Sequence, residues 1–197
     1  RCLPRSRDKI KLELKESDIP FYDPYLIVKK RRGEWQKEYN QMTIRRANEN
    51  DIPRLLELLE QVLQIHADIR PDIFIPGTTK YTNEELAQMI KDDTKPIYVA
   101  ADENDNCLGY AFCQLREQPF SNNMVPFTSL FIDDLCVDAS TRGQHIGEKL
   151  FVHVKEEAKR LGCYEVTLNV WAGNTSAEKF YEKMGLKTKE QQMEYIL

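Results

Sequence analysis

Between Asp134 and Leu150 the chain reads DLCVDASTRGQHIGEKL. An apolar run stops at Asp138, a short loop follows, and a helix is entered through Arg142-Gly143-Gln144-His145-Ile146-Gly147. A strand that leads into a helix and then a second strand must pair in parallel, because a helical crossover joins them. The pieces are present: FTSLFIDDLCVD reads as the first strand and YEVTLNVW as the second. The helix between them is expected from Gly143 to Leu161. Ile146, Leu150, Phe151, Val154, Ala158 and Leu161 form its apolar stripe, and Gly162 ends it.

The loop also suggests a ligand. The first amides of a helix have no partner inside it and carry the positive end of the dipole. Gly143 and Gly147 remove side chains where a ligand would approach the backbone, and Arg142 adds a fixed charge. Together they suit a diphosphate, although glycines at a helix start equally serve an ordinary tight turn. No Lys-Ser/Thr follows the glycines, which excludes a nucleotide-hydrolysing P-loop.

The remaining elements follow the same periodicities. MTIRRA, from Met42, alternates as a half-buried strand. Asn50 or Asp51 caps a helix with Pro53 in its first turn and a stripe of Leu55, Leu56, Leu58, Leu59, Val62 and Leu63. Pro71, Pro76 and Gly77 make a loop, and Thr82 or Asn83 caps a short helix carrying Leu86, Met89 and Ile90. PIYVAADENDNCLGYAFCQL predicts two strands around a turn at Asp102 to Asn106. NTSAEKFYEKM predicts a helix capped by Asn174 or Thr175, and QMEYIL a last strand. The order β-α-α-β-β-β-α-β-α-β defines an α/β fold with a mixed sheet flanked by helices. Residues 42–197 are expected to form this domain. Residues 1–41, with Lys29-Lys30-Arg31-Arg32 and no clear periodicity, read as an N-terminal extension, either a misassigned start or a real tail.

Charge narrows the partners. Residues 1–41 hold 11 Lys+Arg and 7 Asp+Glu, a net +4, whereas the rest holds 17 and 25, a net −8. An acidic body disfavours nucleic acid and suits an amine-bearing partner. The five cysteines are scattered and never spaced as CxxC, so neither a metal site nor a disulfide framework is expected. No apolar run is long enough to span a bilayer and no secretory leader is visible, so a cytoplasmic protein without membrane association is expected.

The loop, its strand, and the Asn174–Gly185 helix about one βαβ unit later resemble the GNAT superfamily of acyl-CoA-dependent N-acetyltransferases. In that family Arg/Gln-x-x-Gly-x-Gly/Ala binds the diphosphate of coenzyme A. Arg142 and Gly147 match it, and His145 takes the place of the middle glycine, which a side chain tolerates where the backbone is already helical. Asn174, Ala177, Tyr181 and Gly185 match the next-helix pattern, with Leu186 replacing its usual aromatic. The resemblance implies a GNAT-like fold and acetyl-CoA as cosubstrate, with no metal. The strand would splay at a bulge so that Leu135, Cys136 and Val137 offer backbone groups to the pantetheine arm. It further implies that Arg142, Gly143, Gln144, His145, Ile146, Gly147 and Asn174 hold the carrier, and that Tyr181 protonates the leaving sulfur.

The general base stays open at this level. Asp133 and Asp134 are adjacent in a strand and so are expected on opposite faces, with only one aimed at the acceptor. IDDLCV resembles the spermidine/spermine acetyltransferase segment, which implies Asp133, yet either carboxylate serves equally well as a cap. Asn169 stands where ribosomal-protein alanine acetyltransferases carry an acid, which counts against their mechanism. His66, at the end of the first helix, is a candidate proton shuttle or a packing residue, and His153 a packing residue. The expected activity is acetylation of a primary amine on a small molecule, polyamine or peptide, by direct attack in a ternary complex. The alternative is a sensor module that binds acyl-CoA without turnover. Either would act as a monomer or homodimer.

Overall fold

The computed structural model describes residues 26–31 and 34–39 as paired backbone, and residues 42–119 and 121–197 in full. Residues 1–40 and 41–197 form separate compact units. The first contains an antiparallel hairpin that the sequence pattern did not suggest, β1 (Leu26–Arg31) with β2 (Glu34–Tyr39), in register from Leu26–Tyr39 to Arg31–Glu34. Three of the four basic run residues, Lys29, Lys30 and Arg31, lie in β1. Arg32 lies outside the described residues.

The second unit is built on a five-stranded sheet, β3 (Thr43–Arg46), β4 (Ile97–Ala101), β5 (Cys107–Glu117), β6 (Thr128–Val137) and β7 (Glu165–Leu168), in chain order across the sheet. The first four strands pair antiparallel and β6 pairs parallel with β7, as the helical crossover requires. Four helices complete it: α1 (Ile52–Ile69), α2 (Asn83–Ile90), α3 (Ile146–Arg160) and α4 (Thr175–Lys183).

Alternation along the strands sorts the core into two layers. On one face Val99, Tyr110, Phe112 and Cys136 meet Leu55, Leu58, Leu59 and Val62 of α1 and Leu86 of α2. On the other, Tyr98, Ala100, Ala111, Leu130 and Ile132 meet Ile146, Leu150, Phe151, Val154 and Ala158 of α3. Every residue of β4 is buried because helices cover both of its faces. Leu55, Leu58 and Leu150 are fully buried, and each removes about 1.5–3 kcal/mol of apolar exposure from water.

Two boundaries depart from the sequence reading. Helix α3 begins at Ile146, not Gly143, because the backbone turns left-handed at Gly143 (φ 81°) and again at His145 (φ 60°). QMEYIL forms no strand: Met193, Tyr195, Ile196 and Leu197 are exposed, and no sheet edge pairs with them among the described residues. The fold therefore closes on α4.

Candidate active site

The site starts from the way β6 loses one neighbour. Its parallel pairing with β7 runs from Ser129–Glu165 to Ile132–Leu168 and stops there, where β7 ends. Pairing with β5 continues to Val137, but the register jumps from Cys113–Ile132 to Phe112–Asp134 and leaves Asp133 as an extra residue. That is a β-bulge, and it opens the sheet between β6 and β7. Beyond it Leu135, Cys136 and Val137 are paired on the β5 side only. Gly109 makes this possible: a Cβ there would lie 2.6 Å from the Cys136 carbonyl oxygen and 3.2 Å from Val137 Cα.

The bulge also corrects the expectation that Asp133 and Asp134 face opposite ways. Asp134 accepts a hydrogen bond from the Tyr110 hydroxyl at 3.2 Å, and Tyr110 belongs to the α1-side layer. Asp133 meets Lys80 Nζ at 2.7 Å and the Tyr81 hydroxyl at 3.3 Å, and Tyr81 stacks on Phe112 of that same layer. An inserted residue breaks the two-residue period, so both carboxylates reach one side of the sheet.

Their environments differ. Asp133 is exposed and ion-paired. Burial pushes the Asp134 carboxyl up to about 6, against the opposing pull of Lys80 and the Tyr110 hydrogen bond. Tyr181 on α4 packs against Phe180 (5.0 Å) and Phe151 (6.4 Å). Burial, then the nearby Asp134 charge, hold its phenol protonated well above the ordinary range. Its hydroxyl makes no hydrogen bond among the described residues. Cys136 is inert, since burial and then Asp134 push its thiol up to about 12 and it points at the Leu58 carbonyl at 3.7 Å.

After β6, Asp138 accepts hydrogen bonds from the Ser140 amide (2.7 Å) and hydroxyl (2.8 Å), and pairs with Arg54. This fixes the turn that leads to Arg142, whose exposed guanidinium has no partner among the described residues. The amides of Gly143, Gln144, His145, Ile146 and Gly147 likewise find no acceptor among the described residues, and buried Ile146 anchors the loop to the core. His145 is left-handed rather than helical, so its side chain is accommodated at a cost of roughly 1–2 kcal/mol. Gly147 is not open backbone: a Cβ there would touch the Phe180 ring at 3.4 Å and Val137 at 3.5 Å, so it lets α4 pack on the start of α3. Asn174 caps α4 by accepting from the Ala177 amide at 3.2 Å.

The segment after α1 forms a roof with distant parts of the chain, through side-chain contacts that the sequence does not specify. Phe74 lies between His66 (5.1 Å) and Trp171 (5.3 Å, edge-on). Arg70 grips Asp72 (2.9 and 2.7 Å) and Glu194 (2.7 and 3.1 Å), tying the C-terminal segment to the α1–α2 loop. Burial, then the charge of Lys80, hold the pKa of the His66 imidazole below its ordinary value. His153 packs edge-on against Tyr98 at 4.8 Å. Tyr110 alone left a trace in the sequence, two residues from Phe112 on one face of a strand. Among the described residues no His, Cys, Asp and Glu side chains gather to hold a metal ion, and no helix is long and apolar enough to cross a membrane.

With this geometry in place, comparison gives the lineage. Residues 59–186 match the model of the Acetyltransferase (GNAT) family, and the chain belongs to that family. It is 37% identical over 62 residues to a glucosamine 6-phosphate N-acetyltransferase of Arabidopsis thaliana, covering 32% of this chain and 40% of that one. It is 31% identical over 105 residues to peptidyl-lysine N-acetyltransferase YjaB of Salmonella typhimurium, covering 52% and 59%. The chain thus spans 40% and 59% of these relatives' own length, less than two thirds of either. A crystal structure of a mutant BH1408 protein from Bacillus halodurans superposes with a TM-score of 0.75 at 27% identity, over 79% of this chain and 99% of that one.

Proposed function

We propose that this chain transfers an acetyl group from acetyl-CoA to a primary amine of a small molecule, polyamine or peptide, within a ternary complex. The observation that carries the reading is Asp134, on β6 just past the point where β7 ends, hydrogen-bonded to Tyr110, with its carboxyl pushed up by burial and its charge felt at Tyr181. A base poised near working pH and an acid kept protonated are what attack by an ammonium and departure of a thiolate require.

The residues fit the carrier. Arg142 and the free amides from Gly143 to Gly147 suit its diphosphate, and the half-paired backbone of Leu135–Val137 suits the pantetheine arm. The bound carrier supplies the activated acyl group. Asp134 takes a proton from the acceptor ammonium, an amide of the opened strand polarises the thioester carbonyl, and Tyr181 protonates the departing sulfur. Resemblance nominated Asp133 as base, but its ion pair with exposed Lys80 favours Asp134 for that role and Asp133 for holding the roof. The paired acids favour a cationic acceptor. Of the relatives' acceptors, this fits peptidyl-lysine better than a phosphorylated sugar, since Lys80 and Arg70 are both committed to carboxylates.

An acetyl-CoA consumption screen over amines, polyamines and peptides tests the proposal, together with thermal shifts. Carrier at a hundredfold over its dissociation constant is expected to stabilise the chain by about 2.7 kcal/mol. Stabilisation with no turnover on any amine would favour the sensor module, and a flat melting curve would overturn both. Among the described residues Cys107, Cys113, Cys136 and Cys163 are free thiols, consistent with a reducing cytoplasm.

A further inference from the structure

The acidic pair already holds a primary amine. Lys80 Nζ sits 2.7 Å from Asp133 Oδ2, delivered by a loop residue 53 positions earlier in the chain. Its neighbour Tyr81 is pinned by stacking on Phe112 at 5.8 Å, and the ammonium lies 5.4 Å from the Tyr81 ring centre. The same ammonium acts electrostatically on Asp134, and Asp134 acts on Tyr181. The lysine amine and both carboxylates therefore share the α1 side of the sheet, while the charge of Asp134 is felt at Tyr181 on α4, which packs with the α3-side layer. Lys80 remains partly exposed, with 44% of its side-chain surface accessible.

We infer that Lys80 is an internal acceptor: when no external amine is present, the chain acetylates its own Lys80 side chain in cis. This rests on the proposed acetyltransferase activity and adds a modification site to it. Asp134 removes a proton from the Lys80 ammonium, and Nζ then forms a bond to the thioester carbonyl carbon. The carbon–sulfur bond breaks with its electron pair going to sulfur, Tyr181 protonates the thiolate, and the second proton lost from the attacking nitrogen restores the Tyr181 phenol. The product is a neutral N-acetyl-lysine, coenzyme A and an unpaired Asp133. While unmodified, Lys80 competes with external amines for the acids. Once acetylated it no longer neutralises Asp133, so the site gains net negative charge and binds a cationic acceptor more tightly.

The test is to incubate the full chain with acetyl-CoA and no acceptor, then measure intact mass and map peptides. One acetyl increment is expected, located on Lys80, with a first-order rate independent of protein concentration. Lys80→Arg should abolish the increment while keeping the ion pair, and Asp134→Asn should abolish it by removing the base. Lys80→Gln, which mimics the product, should lower KM for a cationic amine by about fivefold, the scale of an exposed ion pair. An unmodified Lys80, an increment elsewhere, or a rate proportional to protein concentration overturns the inference. Turnover of an external amine without modification of Lys80 sinks this inference alone. Absence of both, in a chain whose melting temperature acetyl-CoA does not move, sinks the acetyltransferase reading as well.

Discussion

The two sides of the site are built from different materials. The proposed carrier side, from Leu135 to Gly147, is backbone: half-paired strand amides, then loop amides with no acceptor among the described residues, with one exposed arginine. The proposed acceptor side is side chains joined across long stretches of chain, Lys80 to Asp133 over 53 residues and Arg70 to Glu194 over 124. Backbone geometry depends on where glycines and turns fall and tolerates change in the neighbouring side chains. A site made of side-chain pairs changes its ligand with each substitution. A common carrier and a variable acceptor are what such a division produces.

The sharpest way to break the comparison is at Asp134, where the two sides meet. Asp134→Asn should cut kcat about 10²- to 10⁴-fold and leave coenzyme A affinity unchanged. The wild-type rate should rise through about pH 6 as the carboxyl loses its proton. The stability effect has the opposite sign. A carboxyl raised above its ordinary value favours folding while protonated, and that stability is lost as pH climbs from the ordinary Asp range to about 6. Above pH 6 the charged Asp134 costs on the order of 3 kcal/mol, so Asp134→Asn should raise stability at pH 7 in denaturant titrations while abolishing activity.

Tyr181→Phe should act on the same step from the other side. Its hydroxyl makes no hydrogen bond among the described residues, so folding should be unaffected, while kcat falls about 10²-fold with coenzyme A binding intact. A loss of affinity instead would return Tyr181 to a packing role.

The two sides also differ in how far the sequence reveals them. The stripe from Ile146 to Ala158 is a local signal and predicted the helix and its buried face, although the helix starts at Ile146 and not at Gly143. The core stripe of α1 was equally visible. The bulge left no mark in composition and was expected only from the family resemblance, so the two-residue period was still applied across it. Asp133 and Asp134 were therefore set on opposite faces. The contacts within the roof were hidden for another reason: Phe74, Trp171 and Glu194 acquire meaning only when distant segments meet. QMEYIL carries strand-forming residues, but a strand needs an edge to pair with and its Glu194 is engaged by Arg70.

Arg142 sharpens the comparison from the carrier side. Arg142→Gln removes a charged hydrogen-bond donor and should weaken coenzyme A binding about tenfold or more, as calorimetry would read. The loss should shrink as salt rises, since the guanidinium is exposed. The acceptor KM should not move, and if it does, the two sides are not independent.

The smallest effect separates two neighbouring positive-φ residues. Gly143 has φ 81° and a Cβ there would meet nothing within 4 Å, so Gly143→Ala reads out backbone strain alone, about 1–2 kcal/mol of lost stability. His145, at φ 60°, already bears that strain. His145→Gly should relieve it, but the gain is offset by the greater freedom of glycine in the unfolded chain and by loss of the 3.2 Å contact from Nδ1 to Glu148. The net change should be a gain under about 1 kcal/mol, read as a small rise in melting temperature. Coenzyme A affinity should stay the same, because the amide at this position survives both substitutions. A marked loss of affinity in His145→Gly would mean that the imidazole itself touches the carrier, and the carrier side would no longer be a backbone site.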